Sequence, residues 1–62
     1  MDQKTREQLV AAAKRCEALG PYHAIATVEA ICEDADLSAR EKIDRIRYLL
    51  GLLVSEREEG MA

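Results

Sequence analysis

His23, Cys16 and Cys32 are the side chains of this sequence that could serve as soft ligands or nucleophiles near neutral pH. A structural zinc site needs four such ligands at set spacing, and three in one chain fall short. Catalysis by histidine or cysteine needs a partner that moves a proton and a third group that orients it. His23 falls on the polar side of a helical pattern, with no serine, cysteine or carboxylate spaced to complete such a set, so it reads as a surface histidine. Cys16 and Cys32 fall on inward faces and read as small hydrophobes. Asp34, Asp36 and Ser38 imitate the first three ligands of a calcium loop. The sixth position is Ala39 and the twelfth Arg45, where glycine and glutamate are required. These residues read instead as a turn and a helix cap. The sequence therefore offers no catalytic residue, metal site or cofactor site, and the expectation is a protein that is not an enzyme and takes no small-molecule substrate.

Basic residues are the next source of chemistry. Arg40, Lys42, Arg45 and Arg47 open a helical segment after a short turn, a placement compatible with a DNA-reading helix. Glu41 and Asp44 interrupt them, the preceding segment is acidic, and the turn lacks glycine. The net charge is −3, with the acidity in residues 20 to 36, which hold Glu29, Glu33, Asp34 and Asp36 and no lysine or arginine. No one-signed basic surface results, so nucleic-acid binding is the alternative rather than the leading reading.

The elements that carry these residues are helices. Three segments show apolar residues at helical spacing, and none shows the alternation of a strand. The first helix is expected over about 5 to 19, with Thr5 as its cap in a box with Gln8 and with Leu9, Ala12, Ala13, Cys16 and Leu19 facing inward. Gly20-Pro21 breaks the pattern, since glycine suits the residue past a helix end and proline the first position of the next. The second helix is expected over about 21 to 34. Ala24, Ile25, Val28, Ile31, Cys32 and Ala35 would face inward, and His23, Thr27, Ala30 and Glu33 outward. Ser38-x-x-Glu41 is a second capping box and starts a helix over about 38 to 58, ended by Gly60, with Leu37 folding back onto Ile43 or its neighbours. Arg40 with Asp44 and Glu41 with Arg45 are opposite-charge pairs four residues apart. The fold class is all-α: a three-helix bundle, or a helical hairpin with one bent arm, with antiparallel neighbours and a dimeric state.

A chain of 62 residues buries only about 60% of the surface its unfolded form exposes, so self-association is one of the few ways it can gain stability. A disulfide is not expected. In an antiparallel hairpin Cys16 and Cys32 lie ~12 Å apart, and Met1 leads straight into a charged segment, which argues for a reducing cytoplasm. No apolar run approaches the ~18 residues of a membrane span.

The functional signal lies in Tyr48 through Val54, seven residues without a charge. A helix apolar on every side is buried on every side. Ile43, Ile46, Leu50 and Leu53 form the regular inward stripe, Leu49 and Val54 its flanks, and Tyr48, Gly51 and Leu52 point away. The third helix is the longest, so residues 51 to 58 would project past the start of the second and leave Leu52, Leu53 and Val54 exposed. Gly51 costs about 1 kcal/mol relative to alanine, and a helix packed closely against it would account for it. The alternative is that the first helix covers this surface within the chain. The expected association surface is Tyr48, Leu49, Gly51, Leu52, Leu53 and Val54, with Glu29 and Glu33 as an acidic edge toward a basic partner. The resulting expectation is a small regulator or inhibitor that associates through helices with itself, as a homodimer, and with a larger protein. Its length and pattern are those of many small bacterial, plasmid and phage regulatory proteins, an analogy of size and class only.

Overall fold

The computed structural model describes the backbone of residues 1–61 and the side chains of residues 1–55. The chain forms three helices in up-down-up order: α1, Gln3–Leu19; α2, Pro21–Glu33; and α3, Ala39–Met61. No strand occurs among the described residues. The result is a three-helix bundle in which α1 packs on both neighbours and α2 and α3 meet least. At 1.5 Å per residue α3 is about 34 Å long, and it sets the 38 Å long axis of the molecule.

Local chemistry explains each boundary. Asp2, not Thr5, caps α1: its carboxylate accepts the Thr5 backbone N–H at 2.8 Å. Aspartate is among the best capping residues, and with Asp2 available the helix gains most of a turn. Thr5 itself is buried. Gly20 ends α1 at φ +95°, a backbone conformation open to glycine, and its N–H donates to the Cys16 carbonyl at 2.8 Å. Pro21 then opens α2, so the Gly20-Pro21 pair is a full break. At the second turn the Asp34 carboxylate accepts the Asp36 N–H at 2.9 Å. The Ser38 hydroxyl accepts the Glu41 N–H at 3.1 Å and the Glu41 carboxylate accepts the Ser38 N–H at 3.0 Å, the reciprocal box read from the sequence. Gly60 does not end α3, whose backbone stays helical to Met61.

The core is narrow. Leu9, Ala12 and Ala13 of α1 surround Leu49 of α3, which is 0% exposed, and Val28, Ile31, Tyr48, Leu52 and Leu53 pack around them. The two alanines bring α3 close to α1, and Leu49 fills the space their missing side chains leave. Cys16 extends the buried face of α1, with its Sγ 3.9 Å from the Thr27 hydroxyl. Thr27 in turn donates to the His23 carbonyl at 2.9 Å.

Candidate interaction surface

The packing of α1 on α3 decides which apolar residues remain in the open. Taking Leu49 as the inward direction and 100° per residue, Tyr48 and Leu52 lie on one flank of α3, and Ile46, Leu50, Ile43 and Val54 on the other. Tyr48 borders an open hollow with Gln3, Arg6, Glu7 and Val10 of α1. The Tyr48 flank therefore faces α1, and the opposite flank lies on the side of α2. In α2 the half-buried residues are His23, Ala24, Thr27, Val28 and Ile31, and Thr27 meets Cys16 of α1. The flank of α2 turned away from α1 carries Val28, Ile25 and Cys32.

These two flanks line the seam between α2 and α3. Ile25 is 57% exposed, Ile43 51%, Leu50 46% and Val54 53%. Cys32 is exposed, while Val28 and Ile46 are half-buried. Leu53 shares a hollow with Gly20, Pro21 and Ala24, which fixes the register: Ile25 stands level with about Leu50, Val28 with about Ile46, and Cys32 with about Ile43. The seam is thus apolar on both sides along three levels. Glu29 on α2 and Arg47 on α3 stand exposed at its outer rims.

Several expected positions need correction. Ile25, Cys32, Ala35, Ile43, Leu50 and Leu19 were expected inward and are exposed. His23 and Thr27 were expected outward and are half-buried. Leu49, expected on a flank and within the association surface, is the centre of the core and offers nothing to a partner. Tyr48, Leu52 and Leu53 pack around that core, so α1 covers within the chain much of the surface read as free. Gly51 and Val54 are exposed as expected. Projection begins after Leu53 rather than at residue 51, because Leu53 lies level with the α1–α2 turn. The physical reason is one rotation. Docking of α1 turns α3 by about one residue's 100° relative to the stripe of Ile43, Ile46, Leu50 and Leu53.

Glu29 and Glu33 are exposed on α2. Arg40 forms an ion pair with Asp44 at 3.4 Å. Lys42 and Arg45 are half-buried on the inward side of α3 while Arg40 and Arg47 are exposed on the outward side, so the four basic residues form no single face. Leu37 is half-buried and borders a hollow with Leu9, Ile31 and Arg45. Cys16 and Cys32 are free thiols, the first buried and the second exposed. Two carboxyls are shifted by their capping roles. Hydrogen bonds from the Thr5 hydroxyl and backbone hold Asp2 below its ordinary pKa. Those from the Ser38 backbone and hydroxyl do the same for Glu41.

Among the described residues no group of three His, Cys, Asp or Glu side chains is placed to hold a metal ion. Among the described residues no helix is long and apolar enough to cross a membrane. No protein-family model matches the chain, and neither does any curated protein or solved structure.

Proposed function

We propose that this chain is a non-catalytic interaction module, a small regulator or inhibitor that associates through its helices with itself and with a larger protein. One observation carries the reading: Ile25, Cys32, Ile43 and Leu50, on the α2–α3 side, stay exposed although Tyr48, Leu49, Leu52 and Leu53 of α3 are packed in or around the core. A chain this small gains little from its own core, so leaving the three large side chains Ile25, Ile43 and Leu50 half in water has a cost that association recovers. Glu29 borders this surface and, with Glu33 exposed farther round the outer face of α2, suits a basic rim on the larger partner. The division of Arg40, Lys42, Arg45 and Arg47 between two sides of α3 favours this reading over nucleic-acid binding, which draws on a continuous basic face.

The test is solution mass by light scattering across concentration, for the wild type and for Leu50→Glu. Leu50 is half in water, so the variant keeps its helicity. A wild-type dimer that becomes a folded monomer supports the reading. A wild type that is monomeric throughout, or a dimer that Leu50→Glu leaves intact, overturns self-association through this surface.

A further inference from the structure

We propose that α2 melts and redocks as a unit while α1 and α3 stay packed on each other, so that the bundle carries a cover that opens without unfolding the chain. The proposal concerns a motion of the single chain and is independent of association.

Local chemistry makes α2 the weakest of the three helices. Asp2 caps α1 and the Ser38 and Glu41 box caps α3, whereas Gly20 at the head of α2 has no side chain to accept an N–H. The charges that favour a helix are missing at both ends, since the first turn of α2 holds no acidic residue and the last turn no basic one. Glu33 and Asp34 instead set two carboxylates at the end where the backbone carbonyls already concentrate negative charge. Ile25, Thr27, Val28 and Ile31 are β-branched and lose side-chain freedom in a helix. At 13 residues, α2 also has a length at which even an alanine-rich helix is marginal alone. Its helicity therefore depends on packing.

That packing is thin. Among the described residues the buried side chains belong to α1 and to Leu49 of α3, and α2 contributes none. Val28 and Ile31 cover one side of the core and are themselves half-buried. The Thr27 hydroxyl lies 3.9 Å from the Cys16 Sγ of α1 and is already engaged by the His23 carbonyl within α2. Among the described residues no ion pair joins α2 to a neighbour. The centre of the core, Leu9, Ala12 and Ala13 around Leu49, is made without a residue of α2. Openings below global unfolding are drawn from segments of this kind, with few buried contacts and defined ends. Here the ends are Gly20, at φ +95°, and the turn that begins at Asp34. Melting of α2 exposes the side of the Leu9 and Leu49 core that Val28 and Ile31 cover, an apolar surface the closed bundle does not show.

Native-state hydrogen exchange at low protein concentration tests the motion. Amides in the body of α2 should share one protection factor, lower by about tenfold or more than the amides around Ala13 and Leu49. Two glycine substitutions at exposed helix-interior positions then separate melting of α2 from unfolding of the chain. Ala26→Gly should lower α2 protection roughly fivefold, the effect of glycine for alanine in a helix interior. Ala11→Gly should lower protection around Ala13 and Leu49 by the same roughly fivefold factor and leave α2 protection unchanged, because α1 stays helical when α2 opens. One protection factor shared by all three helices of the wild type overturns the proposal. So does an Ala11→Gly variant that lowers α2 protection equally, since α2 then opens only with the whole chain. An Ala26→Gly variant without effect on α2 protection also overturns it, by showing exchange through local fluctuations rather than melting of the helix.

Discussion

Leu49 and Leu50 are consecutive in sequence and stand in opposite environments: Leu49 is wholly enclosed by Leu9, Ala12 and Ala13, and the next side chain along the helix is half in water beside the open α2–α3 seam. The same residue type at adjacent positions thus separates folding from association. Leu49→Ala should destabilise the chain by roughly 2 to 5 kcal/mol, the range for deleting a buried leucine. Leu50→Ala should change the stability of the monomer by about 0.5 kcal/mol or less. Chemical denaturation at a concentration below dimerisation checks both, and equal losses would show that the core does not centre on Leu49.

The two thiols should differ as sharply. Cys16 is buried against Thr27 and Cys32 is exposed on α2. An aromatic disulfide reagent should titrate one thiol per native chain at once and the second only in denaturant, with Cys32→Ser abolishing the fast phase. Because Cys32 lies on the α2–α3 seam, its rate should also fall as protein concentration rises into the dimeric range. A rate independent of concentration would place the association surface elsewhere.

Much of this architecture is legible in the sequence, for local reasons. Ser38-x-x-Glu41 and Gly20-Pro21 act within one turn of chain, and both perform in the structure what their residue types dictate. The facing of α3 is not legible, because residues 48 to 54 are apolar on every side and any of several stripes satisfies a helical period. What selects Leu49 is Ala12 and Ala13, more than thirty residues away in sequence, whose small side chains admit α3 along one line. Periodicity places Ile25 and Ile43 inward because it measures amphipathicity and says nothing of whether a neighbour reaches far enough to cover them. Of the α3 residues in the expected surface, Gly51 and Val54 are the ones left exposed, and they lie on the side of α3 turned away from Leu49.

Ser38 should be the most sensitive exposed position. Its hydroxyl and backbone N–H both pair with Glu41, at 3.1 and 3.0 Å, and α3 carries the centre of the core. Ser38→Ala should cost about 0.5 to 2 kcal/mol, whereas Ser38→Gly should cost only a few tenths, because a glycine cap leaves the N–H groups open to water. Thermal unfolding followed by circular dichroism distinguishes the two. Equal losses would assign the effect to backbone freedom rather than to the lost acceptor.

The same cap makes stability depend on acid. The Glu41 carboxyl is held below its ordinary value by hydrogen bonds from Ser38, and the Asp2 carboxyl by hydrogen bonds from Thr5. A carboxyl whose pKa is lower folded than unfolded stabilises the fold at every pH above the unfolded value, about 4, and loses that contribution as pH falls through the folded value. Below that point the proton must be removed from neither state, and the carboxylate no longer accepts the N–H groups at the start of its helix. Melting temperatures of the wild type should therefore hold from pH 7 down to about 5 and fall below about 4. Glu41→Gln keeps an acceptor for the Ser38 N–H and has no proton to gain, so its curve should start lower at pH 7 and converge on the wild type in acid. Acidic residues elsewhere contribute equally to both curves and cancel in the difference. Parallel curves over the whole range would mean that Glu41 carries no capping charge in solution.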